Sequence, residues 1–306
     1  MSNSENTSLP YDMGNAGDLL KHGVLAETLR HRLIFGWNQP VRFLDLFGGE
    51  PFDLEVAAEI IERINKLSGC ALHDGQCDIR AGKYYGSGML ARKLGDRFGI
   101  PVSVFASDRN EGRRERLCTS GLRPLEEAFP QLEDQPGEPG NYDAYRALDV
   151  IASDTTGNDL ILVDPFADFL EPDADDSNRA EHVLPILGEI ANRSAVLLFA
   201  LNPDPFAPAG RRFDELLHTH LGGAVTMSCP PICESKINGE SNYYADVVLA
   251  GPDVAGDPAV VAHLRCRLEI LAEKLAHALG LSERGRMMLR PRRIRGVERI
   301  MIRHAD

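Results

Sequence analysis

The chain has 306 residues, a length that allows one large domain or one domain with appendages. Apolar residues make up 43% of it and charged residues 26%, which is ordinary for a globular protein, and no apolar run is as long as a membrane span. The first residues lack the basic-then-apolar pattern of a signal peptide, so we expect a cytoplasmic protein. No pair of the six cysteines has the CxxC spacing of a zinc site, and we expect no metal cofactor.

The net charge of −13 is unevenly distributed along the chain. Residues 281–306 hold eight arginines and three acidic residues, so this segment carries +5 and the rest of the chain −18. An acidic body repels nucleic acid unless a local basic patch outweighs it. The arginine-rich segment predicts either such a patch, for RNA or DNA, or a surface that pairs with acidic groups of a protein partner or of the body. Both readings stay open, because arginine binds phosphate and carboxylate with the same geometry.

The predicted elements alternate between helix and strand. In chain order, residues 1–12 are expected to be disordered, and an amphipathic helix follows over 17–32. Apolar runs predict strands at 41–46, 102–107, 147–150, 160–163, 195–201, 224–228 and 243–249. Helical spacing predicts helices at 53–66, 89–98, 113–128, 182–192, 211–221 and 258–279. This alternation predicts an α/β fold with a Rossmann-like sheet, mostly parallel, with a closing antiparallel strand.

The same pattern divides the chain into three parts. A disordered N-terminus over 1–12 precedes one domain over 13–252, in which residues 53–85 form a small helical insertion between the first two long strands. Residues 253–306 then give a C-terminal helix and the arginine-rich tail.

Three acidic residues, Asp45, Asp108 and Asp164, each follow an apolar run that predicts a buried parallel strand. In an open α/β sheet, ligands bind in the crevice outside the carboxyl ends of the strands. We therefore predict that the three carboxylates meet around one pocket for a nucleoside-bearing cofactor. There Asp108 would bind the ribose hydroxyls and Asp164 would face the reacting group.

The turn after the first strand contains Gly48 and Gly49, which let backbone approach a ligand closely. It does not match GxGxxG, which counts against a nicotinamide-dependent oxidoreductase, one of two rival functions. The motif Asp164-Pro165-Phe166 resembles the catalytic signature of amino-group methyltransferases, Asp/Asn-Pro-Pro-aromatic. In that signature the acidic or amide oxygen and the adjacent carbonyl accept hydrogen bonds from an exocyclic amine and orient it toward the methyl donor.

Residues 14–22, Gly-Asn-Ala-Gly-Asp-Leu-Leu-Lys-His, resemble the N-terminal signature of the bacterial ribosomal-RNA large-subunit methyltransferase J family. That family methylates an adenine amino group using S-adenosylmethionine, on a class I methyltransferase sheet. Further likenesses follow in the same order along the chain: Leu44-Asp45 with Gly49, residues 84–88, Asp108, Asp149, Asp164-Pro165 and residues 247–252. Three-Cys-motif partner proteins are similar too, in their Asp-Pro-Phe segment.

The resemblance implies a cofactor, S-adenosylmethionine, and a set of site residues. Those expected to hold the cofactor are Lys21, Asp45, Gly48, Gly49, Ser87, Asp108 and Asp149, the last on the adenine side. Those expected at the reaction centre are Asp164, Pro165 and Phe166. The implied function is methyl transfer to an amino group of a nucleic-acid base.

Two positions depart from the family's pattern. A glycine of its first motif falls at Pro51, which has a fixed φ and no N–H, and its catalytic aromatic residue falls at Ala167. Base stacking worth ~1–3 kcal/mol is then missing unless Phe166 or Phe169 supplies it. The first rival function is therefore a catalytically degenerate methyltransferase-like partner or assembly protein.

Overall fold

The computed structural model describes residues 13–35, 39–108, 110–132, 144–165, 169, 179–201, 208–236, 239–281 and 288–291. Residues 146, 208–211, 230–236, 239–244 and 288–291 are described by their backbone alone. The predicted disordered segment 1–12 and the predicted site residue Phe166 lie outside the described residues.

Strands and helices alternate along the chain. The strands are β1 (Val41–Asp45), β2 (Phe52–Asp53), β3 (Tyr84–Tyr85), β4 (Val102–Ala106), β5 (Arg123–Pro124), β6 (Asp159–Val163), β7 (Ala195–Leu201), β8 (Val225–Lys236), β9 (Gly239–Ala250) and β10 (Met288–Pro291). The helices are α1 (Ala16–Phe35), α2 (Ala58–Lys66), α3 (Ala71–Gly75), α4 (Ser87–Phe98), α5 (Glu111–Thr119), α6 (Ala144–Asp154), α7 (Arg179–Ala191), α8 (Pro208–His220), α9 (Pro252–Ala255) and α10 (Pro258–Ala278).

Within the described part of the chain, eight strands form one sheet in the order β10-β8-β9-β7-β6-β1-β4-β5. Neighbouring strands from β5 to β7 run parallel, and β9 is antiparallel to both β7 and β8. The predicted Rossmann-like α/β sheet, mostly parallel with a closing antiparallel strand, is confirmed. Elements α2, α3 and the small β2–β3 ribbon lie between β1 and α4, in the part of the chain predicted as an insertion.

Helices cover both faces of the sheet, which explains why its central strands are apolar throughout. One core joins the sheet to α1, α4 and α10, and the other joins it to α6, α7 and α8. Helix α1 packs against α3, α4 and α10 as well as the sheet, so 17 of its 20 residues are buried and the predicted amphipathic pattern does not describe it. None of the helices in the described ranges is long and apolar enough to cross a membrane.

Several predicted elements differ from the structure. The strand predicted at 147–150 is wrong, because this segment lies in α6, where Ala147, Leu148 and Ile151 are buried at helical spacing. The helix predicted over 113–128 ends at Thr119, and β5 follows. Strand β10 pairs with β8 inside the segment predicted as an arginine-rich tail.

Gly86 can be used to test the close packing between the start of α4 and the turn that follows β1. Its N–H donates to the Pro51 carbonyl at 2.9 Å, and a Cβ at this position would lie 2.2 Å from the Glu50 carbonyl oxygen. We expect Gly86→Ala to lower the free energy of unfolding by about 1–3 kcal/mol, because the backbone must shift. Gly157→Ala is the matched control, since its Cβ would meet nothing nearer than 3.7 Å. Urea unfolding measures both, and equal stabilities would contradict the packing described.

Candidate functional site

The carboxyl edge of the sheet has a crevice at the end of β1. Strand β1 has β4 on one side and β6 on the other, so the strand order reverses here. Such a switch point is where open α/β sheets bind ligands. Asp45 ends β1, Asp164 directly follows β6, and Asp108 comes two residues after β4. The structure therefore brings the three predicted acids to neighbouring strand ends.

Helix α1 begins beside this crevice. The Asn15 side chain accepts a hydrogen bond from the Asp18 N–H at 3.0 Å, which is an N-cap contact. Asp18 is buried in the first turn and accepts from the Gly14 N–H at 2.9 Å. A carboxylate in this position is also stabilised by the positive end of the helix dipole. The cap thus fixes a buried negative charge three residues before Lys21.

Lys21 is only 5% exposed and lies between carboxylates. Its Nζ donates to Asp164 Oδ2 and lies 3.2 Å from Asp18 Oδ1 and 5.5 Å from the centre of the Phe199 ring. The sequence argument singled out Lys21 and missed Asp18, although the i,i+3 spacing of opposite charges on a helix is a recognisable signal. The contact to Asp164 joins the helix to the catalytic motif predicted from the sequence.

Asp45, the last residue of β1, is fully buried. The Ser87 hydroxyl at the start of α4 donates to Asp45 Oδ2, and the Phe47 N–H lies 3.4 Å from Oδ1. Burial raises the pKa of Asp45 to about 6, against the opposing effects of Ser87 and Lys21. Burial also raises the pKa of Asp164, and Lys21 opposes that rise. The ammonium of Lys21 is thus the group that favours the ionised form of both carboxyls.

The first turn and Asp108 are joined by backbone hydrogen bonds. Asp108 Oδ2 accepts from the Gly49 N–H at 3.1 Å, and Oδ1 accepts from the Asn110 N–H at 2.7 Å. A Cβ at Gly48 would lie 2.9 Å from Leu117 Cδ1, so Gly48 is needed for packing. Gly49 has φ +60°, and a Cβ there would approach nothing closer than the Phe47 carbonyl at 3.8 Å. Gly49 therefore borders open space.

Pro51, where the resemblance expects a glycine, is buried. Its carbonyl accepts the Gly86 N–H at 2.9 Å, which ties the turn to the start of α4. The proline lacks an N–H, but the hydrogen bond made at this position needs only its carbonyl oxygen.

The other predicted residues lie in different environments. Pro165 is buried, and Asp149 is exposed on α6, so its expected contact with the cofactor stays a prediction. Phe169 is 1% exposed and packs between Tyr145 and Phe213, with ring centres 6.4 and 6.3 Å apart. It is therefore part of the core and does not present a face for stacking on a base.

Comparison with known proteins bears on the fold alone. No family model matches the chain, and no curated protein matches its sequence. The protein LPL1258 of Legionella pneumophila, described as a DUF519 family member, superposes with a TM-score of 0.58 at 13% identity over 92% of this chain and 98% of its own. The two chains share a fold over almost their full lengths.

Two further solved structures are more distant. A SAM-dependent methyltransferase of Agrobacterium tumefaciens gives a TM-score of 0.38 at 14% identity, over 76% of this chain and 62% of its own. A putative RNA methyltransferase of Pyrococcus horikoshii gives 0.32 at 12% identity, over 74% of this chain and 82% of its own. Neither likeness is close enough to assign an activity.

His22 predicts a pH dependence of stability. It is buried, its Nδ1 lies 2.8 Å from the Tyr84 hydroxyl, and burial and Lys21 lower its pKa from 6.5 to about 3. The unfolded chain therefore takes up this proton first, and the stabilisation present above pH 6.5 is lost as the pH falls. We expect His22 to contribute a loss of about 2 kcal/mol between pH 7.5 and pH 5, at about 1.4 kcal/mol per pKa unit.

Urea unfolding of the wild type and His22→Gln at the two pH values measures this loss. The glutamine can still bond Tyr84 but does not titrate, so we expect the variant to lose about 2 kcal/mol less than the wild type. The same loss in both proteins would show that His22 is not the titrating group.

Proposed function

We propose that this chain is an S-adenosylmethionine-dependent methyltransferase that acts on an amino group of a nucleic-acid base. The observation that carries the proposal is the contact of the buried Lys21 with Asp164 at the switch point of the sheet, where both groups influence the pKa of Asp45. Perturbed carboxyls in the ligand crevice of an α/β fold are typical of a functional site. The N-terminal signature and the Asp-Pro motif supply the reaction class.

The residues of the crevice fit a nucleoside-bearing cofactor. An ionised carboxylate has about four acceptor positions, and backbone N–H groups use two of those on Asp108, which leaves two for vicinal ribose hydroxyls. The open space at Gly49 leaves room beside the turn for the methionine end of the cofactor. Asp45 is fully buried at the end of β1, and its contact with the cofactor stays a prediction. Ser87 orients Asp45, and Asp149 stays the proposed contact to the adenine. When bound, S-adenosylmethionine supplies an electrophilic methyl group.

Asp164 and Pro165 have a defined task in this proposal. One Asp164 oxygen is held by Lys21, and its side chain is 20% exposed, which leaves it accessible to an acceptor amine. The carboxylate and the Pro165 carbonyl accept the two amine hydrogens and aim the nitrogen lone pair at the methyl group. Burial raises the pKa of Asp164 and Lys21 opposes that rise, so Lys21 favours the ionised form, which accepts hydrogen bonds and does not donate them.

One observation favours the rival of a catalytically degenerate partner protein. Phe169 belongs to the core, so within the described residues it does not replace the aromatic residue that is missing at Ala167. A degenerate protein would lack methyl transfer to any acceptor. Calorimetry with S-adenosylmethionine and S-adenosylhomocysteine separates the two cases, because failure to bind either at millimolar concentration favours the rival.

Asp164→Ala tests the proposed task directly. With radiolabelled S-adenosylmethionine and total cellular RNA, DNA and protein, we expect the wild type to label RNA or DNA. We expect the variant to lose about 10²-fold in rate, because the amine is no longer aligned, while its affinity for S-adenosylhomocysteine changes little. Asp96→Asn, at an exposed position of α4, is the control and keeps full transfer. Unchanged transfer by Asp164→Ala would exclude the role.

Lys21→Met tests the electrostatic part of the proposal. Lys21 lowers the pKa of both Asp164 and Asp45, so removing it raises both pKa values and keeps the carboxyls protonated to a higher pH. We expect the pH–rate profile of methyl transfer to move to higher pH, and Lys21→Arg, which keeps the charge, to move it less. A uniform loss of rate at every pH would point to a structural role only.

A further inference from the structure

Four charged side chains meet where the first turn faces the start of α5. Arg116 binds Glu50 with both ends of its guanidinium, through Nε at 2.8 Å and Nη2 at 2.6 Å. Arg113 lies between two acids, with Nε 3.4 Å from Glu50 Oε1 and Nη1 3.6 Å from Asp108 Oδ2. Nothing in the sequence pattern singled out either arginine.

The geometry gives the two arginines different positions relative to the crevice. Arg116 is about half exposed and contacts Glu50, whereas Arg113 is 19% exposed and also reaches Asp108. Glu50 already has a bidentate partner in Arg116, and its pKa is lowered chiefly by that contact. Holding Glu50 therefore does not require Arg113.

The Arg113–Asp108 distance of 3.6 Å is too long for a hydrogen bond, so the two groups are close without satisfying each other. Asp108 keeps two acceptor positions after its backbone contacts, and Arg113 Nη1 brings N–H donors to within 3.6 Å of Asp108 Oδ2. A hydroxyl is both donor and acceptor. A vicinal diol placed there can donate to Asp108 and accept from Arg113 at once.

We infer that Arg113 is a specificity-determining residue that binds the ribose diol of a nucleoside together with Asp108. The inference rests on the proposed function, because the nucleoside is that of its cofactor, and it adds a residue that the motifs do not contain. Asp108 accepts the hydroxyl protons, and Arg113 donates to the hydroxyl oxygens. Arg113 also neutralises Asp108, so the pair accepts an uncharged diol.

Two ligands and two variants test the inference by calorimetry. The ligands are S-adenosylhomocysteine and its analogue that lacks both ribose hydroxyls. We expect Arg113→Gln to weaken S-adenosylhomocysteine about tenfold, since a charge-assisted hydrogen bond is lost, and to leave the affinity for the dideoxy analogue unchanged. Arg116→Gln is the matched control, because it alters the same cluster without touching Asp108, and we expect its affinities to change less than about twofold.

Failure of the inference and failure of the proposed function give different results. If Arg113→Gln lowers the affinity for both ligands equally, lowers neither affinity, or gives the same affinities as Arg116→Gln, Arg113 does not bind the diol. If the wild type binds neither ligand, the proposed function itself fails and the inference with it. Thermal unfolding checks that the variants fold, and should Arg113→Gln be unstable, Arg113→Lys gives the same comparison, with a smaller loss for the diol ligand only.

Discussion

Three carboxyls, the buried Asp18 and Asp45 and the partly exposed Asp164, interact with one ammonium group, that of Lys21. Charges in a low-dielectric interior are costly unless they are paired, and removing one member of such a set typically costs about 3–5 kcal/mol. The position of α1 is therefore set by this electrostatic constraint as well as by its apolar contacts. A shift that carried Lys21 away from β6 would leave Asp164 unpaired beside a second buried acid.

The same constraint connects the fold to the crevice. Strands β4, β1 and β6 bring Asp108, Asp45 and Asp164 to one edge of the sheet. The cation that opposes the raised pKa of Asp45 and Asp164 is Lys21 of α1, a helix that packs on one face of the sheet. The cation near Asp108 is Arg113 of α5. The acidic charge of the strand ends is therefore balanced by groups that the helices supply.

The long strands were predictable because they are apolar runs covered on both sides, as in β1, β4, β6 and β7. The two-residue strands β2, β3 and β5 are too short to give a pattern, and their pairing depends on tertiary contacts. On α1, the neighbouring residues Lys21 and His22 project about 100° apart, as successive helical residues do, and they have separate partners, Asp164 and Tyr84. Arg113 was not predictable, because Glu50 is distant in sequence from Asp108 and Arg113, and the pairing of β1 with β4 brings them together.

The direction of β10 bears on the arginine-rich segment. Strand β10 is antiparallel to β8, with Met288 opposite Ser228 and Pro291 opposite Val225. Through β8, β9 and β7, the register places Val225 level with Leu162 of β6, two residues before Asp164. The described part of the arginine-rich segment therefore lies at the height of the crevice, but β8, β9 and β7 separate it from β6. At about 4.8 Å between neighbouring strands, β10 and β6 are about 19 Å apart, so a polyanion that contacts both must cross three strands of the sheet.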